Sequence, residues 1–158
     1  MLVDSTVEFA SAVSVAAAAG TALIGNQIPL SVARDIGEGG PIYLVIRPTT
    51  EIITGGAAGT IQFILASDAT ASIATNGTAS VHFTSKAFVT DGTDANDAEL
   101  KVNAATPIVM VQVPMEGVAY EAFLGILCVT ATTTTTAGAI DAFLTPYPSK
   151  WKAYADGI

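Results

Sequence analysis

His82, Cys128 and the run Asp91-Gly92-Thr93-Asp94-Ala95-Asn96-Asp97-Ala98-Glu99 are the residues here whose chemistry extends beyond packing. His82 is the sole histidine. Acid–base or nucleophilic work would require a carboxylate or nucleophile beside it, which sequence cannot place. Residues 80–89 alternate: Ser80, His82, Thr84 and Lys86 share one side, while Val81, Phe83, Ala87 and Val89 share the other. A strand sends alternate side chains to opposite faces, so His82 is expected on a polar, exposed face. No Gly-x-Ser-x-Gly elbow accompanies it. Cys128 sits in an apolar run with no second cysteine to pair with, and is read as a small buried hydrophobe suited to a reducing compartment.

Asp91, Asp94, Asp97 and Glu99 are hard oxygen donors of the kind calcium takes. Their spacing is not that of an EF-hand, because ligands do not fall at every second position and no glycine stands at the sixth. The loop is read as a solvated acidic connection, with a weak calcium site as the alternative. The chain has no Walker loop, Gly-x-Gly-x-x-Gly, Cys-x-x-Cys or His-Glu-x-x-His. No catalytic residue and no cofactor is assigned, and the chain is not expected to be an enzyme. Asn76-Gly77-Thr78 has the form of a glycosylation sequon but is read as an Asn-Gly turn.

These residues must be carried by strands. The 158 residues suit one domain. Abundant Ala, Thr, Gly and Val with few charges favour an all-β shell over a helical bundle. Expected strands fall at 21–30, 42–46, 60–67, 80–89, 100–102, 107–113, 120–130 and 138–144, separated by Gly, Pro, Asn and Asp. In the third, Ile61, Phe63 and Leu65 face one way. Arg47-Pro48 reads as a break, followed by a glycine-marked loop to residue 59. About eight strands with turn signals between them predict an antiparallel β-sandwich of jelly-roll type.

The charge is −8, from 14 acidic against 6 basic residues. Phosphate binding needs clustered cations. Arg34, Arg47, Lys86 and Lys101 are scattered and only Lys150 and Lys152 lie close together, so nucleic acid is not expected as a partner. Residues 9–33 carry no charge, but Asp4 and Glu8 precede them where a signal peptide carries Lys or Arg, and Gly20, Asn26, Gln27 and Pro29 interrupt them. Neither a signal peptide nor a membrane span is expected.

The chain is organised around residues 28–47. Gly37, Gly39, Gly40 and Pro41 reverse it, and Ile42, Tyr43, Leu44, Val45 and Ile46 follow as five apolar residues in a row. Such a strand is apolar on both faces, and so are residues 120–129; one sandwich covers only one face of each. The sequence Ala33-Arg34-Asp35-Ile36-Gly37, a Gly/Glu turn, then Pro41-Ile42-Tyr43-Leu44-Val45 resembles the jelly-roll cement (decoration) proteins that clamp HK97-type shells of tailed bacteriophages from outside. The ending Trp151-Lys152-Ala153-Tyr154-Ala155-Asp156-Gly157-Ile158 is similar to that family's aromatic, Asp-Gly-Ile terminus. Met1-Leu2-Val3-Asp4 with Ser11-Ala12-Val13-Ser14-Val15 is similar but less specific. The middle, 50–106, matches only as a string of strands.

The resemblance implies a structural protein on the outer surface of the virion capsid, assembled in the bacterial host cytoplasm. Its implied partners are the major capsid protein and a second copy of itself, as a homodimer or other homo-oligomer. Residues 1–20 are then read as an extended N-terminal arm, although Ser5 to Glu8 also fits a helix cap and Val13 and Val15 alternate with Ser and Ala as a strand would. Residues 145–158 form an aromatic C-terminal tail. Arg34, Tyr43, Val45, Trp151 and Tyr154 are the candidate interface residues. Trp151 and Tyr154 fit a plug at one end of the sandwich as well as a partner anchor. A carbohydrate-binding module, or a tail or fibre jelly roll, is the alternative.

Overall fold

The computed structural model describes residues 5–30, 40–56, 58–90, 92, 95, 97–114, 117 and 119–148. Within them the expected all-β sandwich is present, with nine strands. These are β1 (Glu8–Ser14), β2 (Gly20–Pro29), β3 (Tyr43–Thr54), β4 (Gly59–Asp68), β5 (Ser80–Thr84), β6 (Phe88–Thr90), β7 (Val109–Gln112), β8 (Phe123–Ala131) and β9 (Thr135–Thr145). One sheet runs β1-β9-β3-β7; the other runs β2-β8-β4-β5, with β6 also on β4. Every pairing is antiparallel. The chain passes back and forth between the sheets, so the first and last strands become neighbours. That order is a jelly roll.

The inner faces meet in one core. Ile61, Phe63 and Leu65 of β4, Leu124, Ile126 and Cys128 of β8, and Leu44 and Ile46 of β3 are all buried there. Burial pushes the Cys128 thiol up to about 12, so it behaves as packing, not as a nucleophile. Leu127 faces the other way and is also buried, because Ile73, with partly buried Ala79, packs over Ala66 and Leu127. The outer face of β8 is thus covered by the chain's own 69–79 segment. Of the two doubly apolar strands, β8 needs no second molecule for that face.

The expected strand at 100–102 is instead the end of a one-turn 3-10 helix (Ala98–Leu100) and a turn, and the expected strand at 80–89 divides into β5 and β6. Three further expectations change. First, β3 does not stop at Pro48 but runs on to Thr54. Proline lacks a ladder donor, yet β7 pairs only with Tyr43 to Ile46. Extending that register sets Pro48 opposite Pro107, where the ladder has already ended, so no bond is lost. Second, residues 8–14 of the expected arm are a strand of this domain, paired with β9. Third, His82 does not share the exposed face. Phe83 pairs with Leu65 and Val81 with Ala66, leaving His82 as the extra residue of a β-bulge. The inserted residue reverses the alternation: Val81 is 45% exposed, while His82 is half-buried.

Candidate functional site

The outer face of the first sheet is built by residues that alternate with the core. Leu44 and Ile46 point inward, so Tyr43, Val45 and Arg47 point outward. Val45 lies in register with Phe143 of β9 on one side and Met110 of β7 on the other. Beyond Ile46, where β7 has ended, residues 101–107 take its place. This segment turns at Asn103, whose φ is 63°. Val45, Thr49, Val102, Ala105, Met110 and Pro148 are among the walls of the resulting groove, which has a volume of about 660 Å³. Met110 is 56% exposed and Val102 43% exposed.

Arg47 is the only ionised wall residue among those described. Its Nε and Nη2 donate to Asp141 Oδ2 at 3.0 and 2.7 Å. Asp141 Oδ1 accepts the Ala12 N–H at 2.8 Å, so this pair ties β1, β9 and β3 together beneath the groove. Thr49 Oγ1 is buried and has no hydrogen-bond partner among the described residues. The described walls contain no His, Cys, Asp or Glu.

Of the expected interface residues, the structure puts Tyr43 and Val45 on this face. Arg34, Trp151 and Tyr154 lie outside the described residues, as do Asp91 and Asp94. Asp97 and Glu99 are brought together, but around a cation the chain already supplies. Lys86 Nζ lies 3.0 Å from Asp97 and 3.2 Å from Glu99. Asp97 Oδ2 also accepts the Val89 N–H at 2.6 Å. The Asp97 hydrogen bond, then that of Glu99, holds the Lys86 ammonium above its ordinary range. Burial opposes the charge on Asp97, but the Val89 N–H and Lys86 outweigh it and lower its pKa. Among the described residues no three His, Cys, Asp or Glu form a metal cluster.

A second polar group was not readable from sequence. Ser67 Oγ and His82 Nε2 are 2.7 Å apart. Ser67 Oγ accepts the Glu121 N–H at 3.0 Å, and Ser80 donates to Glu121 Oε1 at 2.6 Å. The His82 ring stacks on Tyr120 at 3.8 Å, and the Tyr120 hydroxyl donates to the Pro114 carbonyl. Serine, histidine and a carboxylate are the components of an acyl-transfer triad. Here, however, Ser67 is 0% exposed, so no substrate carbonyl reaches it. The cluster fastens β4 and β5 to the 119–122 segment that leads into β8.

This fastening has a pH consequence. Burial pushes the His82 imidazole below its usual range, and Glu121 offsets part of that. The unfolded chain, with histidine near about 6.5, then takes up the proton before the folded chain does. Stability is therefore full above that value and declines as pH falls below it. The urea midpoint is expected to drop between about pH 7 and about pH 5.5. His82→Gln should flatten that slope; an unchanged slope would show that other groups set it. The lowered carboxyls of Asp68 and Asp97 act only in a more acidic window.

No protein-family model matches the chain, and no curated protein matches it. Among the described residues no helix is long and apolar enough to cross a membrane.

Proposed function

We propose that this chain is a capsid cement protein that binds the outside of an assembled bacteriophage shell and stabilises contacts between major capsid subunits. The observation that carries the reading is the groove floored by Val45. Its walls are mixed but more apolar than polar, its one ionised wall residue among those described, Arg47, is already paired with Asp141, and it lies on the face that carries Tyr43 and Val45, two of the expected interface residues. The jelly-roll strand order and the resemblance of residues 28–47 support it. The surplus of acid over base supports a position away from packaged DNA.

The mechanism is linkage. A protein that binds the assembled lattice and not separated subunits shifts the equilibrium towards the lattice. Each contact need only be modest, because many copies act on one shell. Self-association between copies belongs to the same reading.

The test is to purify virus particles of the source on a density gradient and quantify this chain against the major capsid protein. A ratio near stoichiometric that survives dilution is expected. A few copies per particle would point to a tail or fibre part. Absence from particles, with binding on a glycan array, would replace this reading with a carbohydrate-binding one.

A further inference from the structure

The 69–79 segment that covers Leu127 turns at Asn76, Gly77 and Thr78, and all three are exposed. The asparagine side chain holds this turn. Asn76 Oδ1 accepts the Thr78 N–H at 3.1 Å and the Thr78 hydroxyl at 2.7 Å. A backbone N–H cannot donate to an NH2 group, so the bonded atom is the amide oxygen and Nδ2 points elsewhere. Neither Nδ2 nor the Gly77 N–H makes a hydrogen bond to a described residue.

This turn brings together the parts of a reaction within the chain. The bond from the Thr78 N–H to Asn76 Oδ1 closes a ring of atoms that contains both Asn76 Cγ and the Gly77 backbone nitrogen, so the two are kept as neighbours. Gly77 has no Cβ to shield its nitrogen. Its φ is 89°, and nothing lies within 4 Å of where a Cβ would stand.

We infer that Asn76 is a site of self-modification, at which the Gly77 nitrogen displaces the side-chain amide as ammonia. The bond from Gly77 N to Cγ forms as a solvent base takes the Gly77 N–H proton, and negative charge gathers on Oδ1. The Cγ–Nδ2 bond then breaks, and Nδ2 leaves with a proton from solvent. The product is a succinimide ring. Water opens it at either carbonyl, leaving an aspartate or an isoaspartate at position 76. Amide and water thus become acid and ammonia, with no change of oxidation state.

Thr78 assists this step. Its N–H and hydroxyl already meet Oδ1, the atom that carries the developing charge, as the donors of an oxyanion hole do. Exposure admits water and hydroxide and lets ammonia depart. The other asparagines, Asn26, Asn96 and Asn103, precede Gln27, Asp97 and Ala104, whose side chains shield the nitrogen that would attack. The two products differ in effect. An aspartate keeps an oxygen for both Thr78 bonds and only adds one negative charge to the −8 of the chain. An isoaspartate lengthens the main chain between Ile73 and Ala79, which pack against Ala66 and Leu127.

The test is to hold the full chain for several days at about 37 °C and follow it by ion exchange and peptide mass spectrometry, with isoaspartate marked by a methyltransferase specific for it. Conversion is expected at position 76 ahead of the other asparagines, and faster at about pH 9 than at about pH 7, because the attacking nitrogen must lose its proton. Gly77→Ala should slow it by about tenfold or more and Thr78→Val by about threefold, while Thr78→Ser should restore the rate. In the urea-unfolded chain Thr78→Val should make no difference, since the turn is gone. Circular dichroism checks that each variant folds. An Asn76 that stays an amide in the folded wild type, or converts no faster than Asn26 and Asn103, would overturn the inference. A folded Thr78→Val chain that converts as fast as wild type or faster, or a Thr78 effect that persists in urea, would overturn the part given to the turn.

Discussion

A Gly25→Ala chain is expected to lose about 2–5 kcal/mol of folding stability, a large part of the roughly 5–15 kcal/mol typical of a domain. Two effects add at this site. The φ of 64° lies in the left-handed region, which costs an L-residue about 1–2 kcal/mol. In addition, a Cβ here would overlap the Phe9 carbonyl oxygen and lie 3.0 Å from the Phe9 carbonyl carbon and 3.3 Å from Ala10 Cβ. Those atoms are backbone and core of β1, so relief would require moving that strand off β2 and disturbing Phe9, which is 0% exposed. Gly77 is the matched control. Its φ is 89° but nothing lies within 4 Å of the added carbon. Gly77→Ala should therefore cost only the conformational part, about 1 kcal/mol. Urea midpoints of the two variants separate the effects. Equal losses would show that the β1–β2 contact adds nothing.

The comparison of these two glycines shows where sequence reading works and where it fails. Both mark turns or bends by residue type alone, but only the fold reveals that Gly25 is pressed by the backbone of Phe9 on β1. The alternation of Ile61, Phe63 and Leu65 is legible because β4 holds its register along β8 without a break. The alternation around His82 misleads because one bulged residue inverts the faces that follow it. The Arg47-Pro48 break misleads because a missing donor matters only where a neighbouring strand would have used it. Asp68 to Gly77 reads as a small polar connection, and Ile73 gives no local sign that it will cover Leu127.

The candidate site divides along the same line. Val45 is legible from its apolar run. Val102 and the turn at Asn103 are not, since nothing in residues 101–107 reveals that they replace β7 beside Pro48. Asp97 and Glu99 are legible as an acidic pair, but not as the two arms that hold Lys86. Ser67 and Glu121 lack any local motif, because their meeting with His82 depends on how β4, β5 and the 119–122 segment come together.

The groove itself is tested most sharply by Val102→Asp. Val102 is 43% exposed, so in the free chain the carboxylate stays in water and stability should change by no more than about 0.5 kcal/mol. If the cement reading holds and a shell subunit covers the groove, the same carboxylate is trapped at that contact, where an unpaired buried charge costs about 3 kcal/mol or more. The charge of Arg47 is already matched by Asp141, to which its Nε and Nη2 donate, so the new carboxylate adds a negative charge that the described walls do not balance. Shell affinity is therefore expected to fall about a hundredfold with little change in melting temperature. Val81→Asp is the control: Val81 is 45% exposed but stands on β5 of the other sheet, away from the groove. That variant should bind shells as wild type does. If both variants lose binding equally, the effect is added negative charge on a chain already at −8, and the groove is not the contact. If neither loses binding, the shell is held by another surface. Only a loss confined to Val102→Asp places the major capsid protein against Val45, Val102 and Met110.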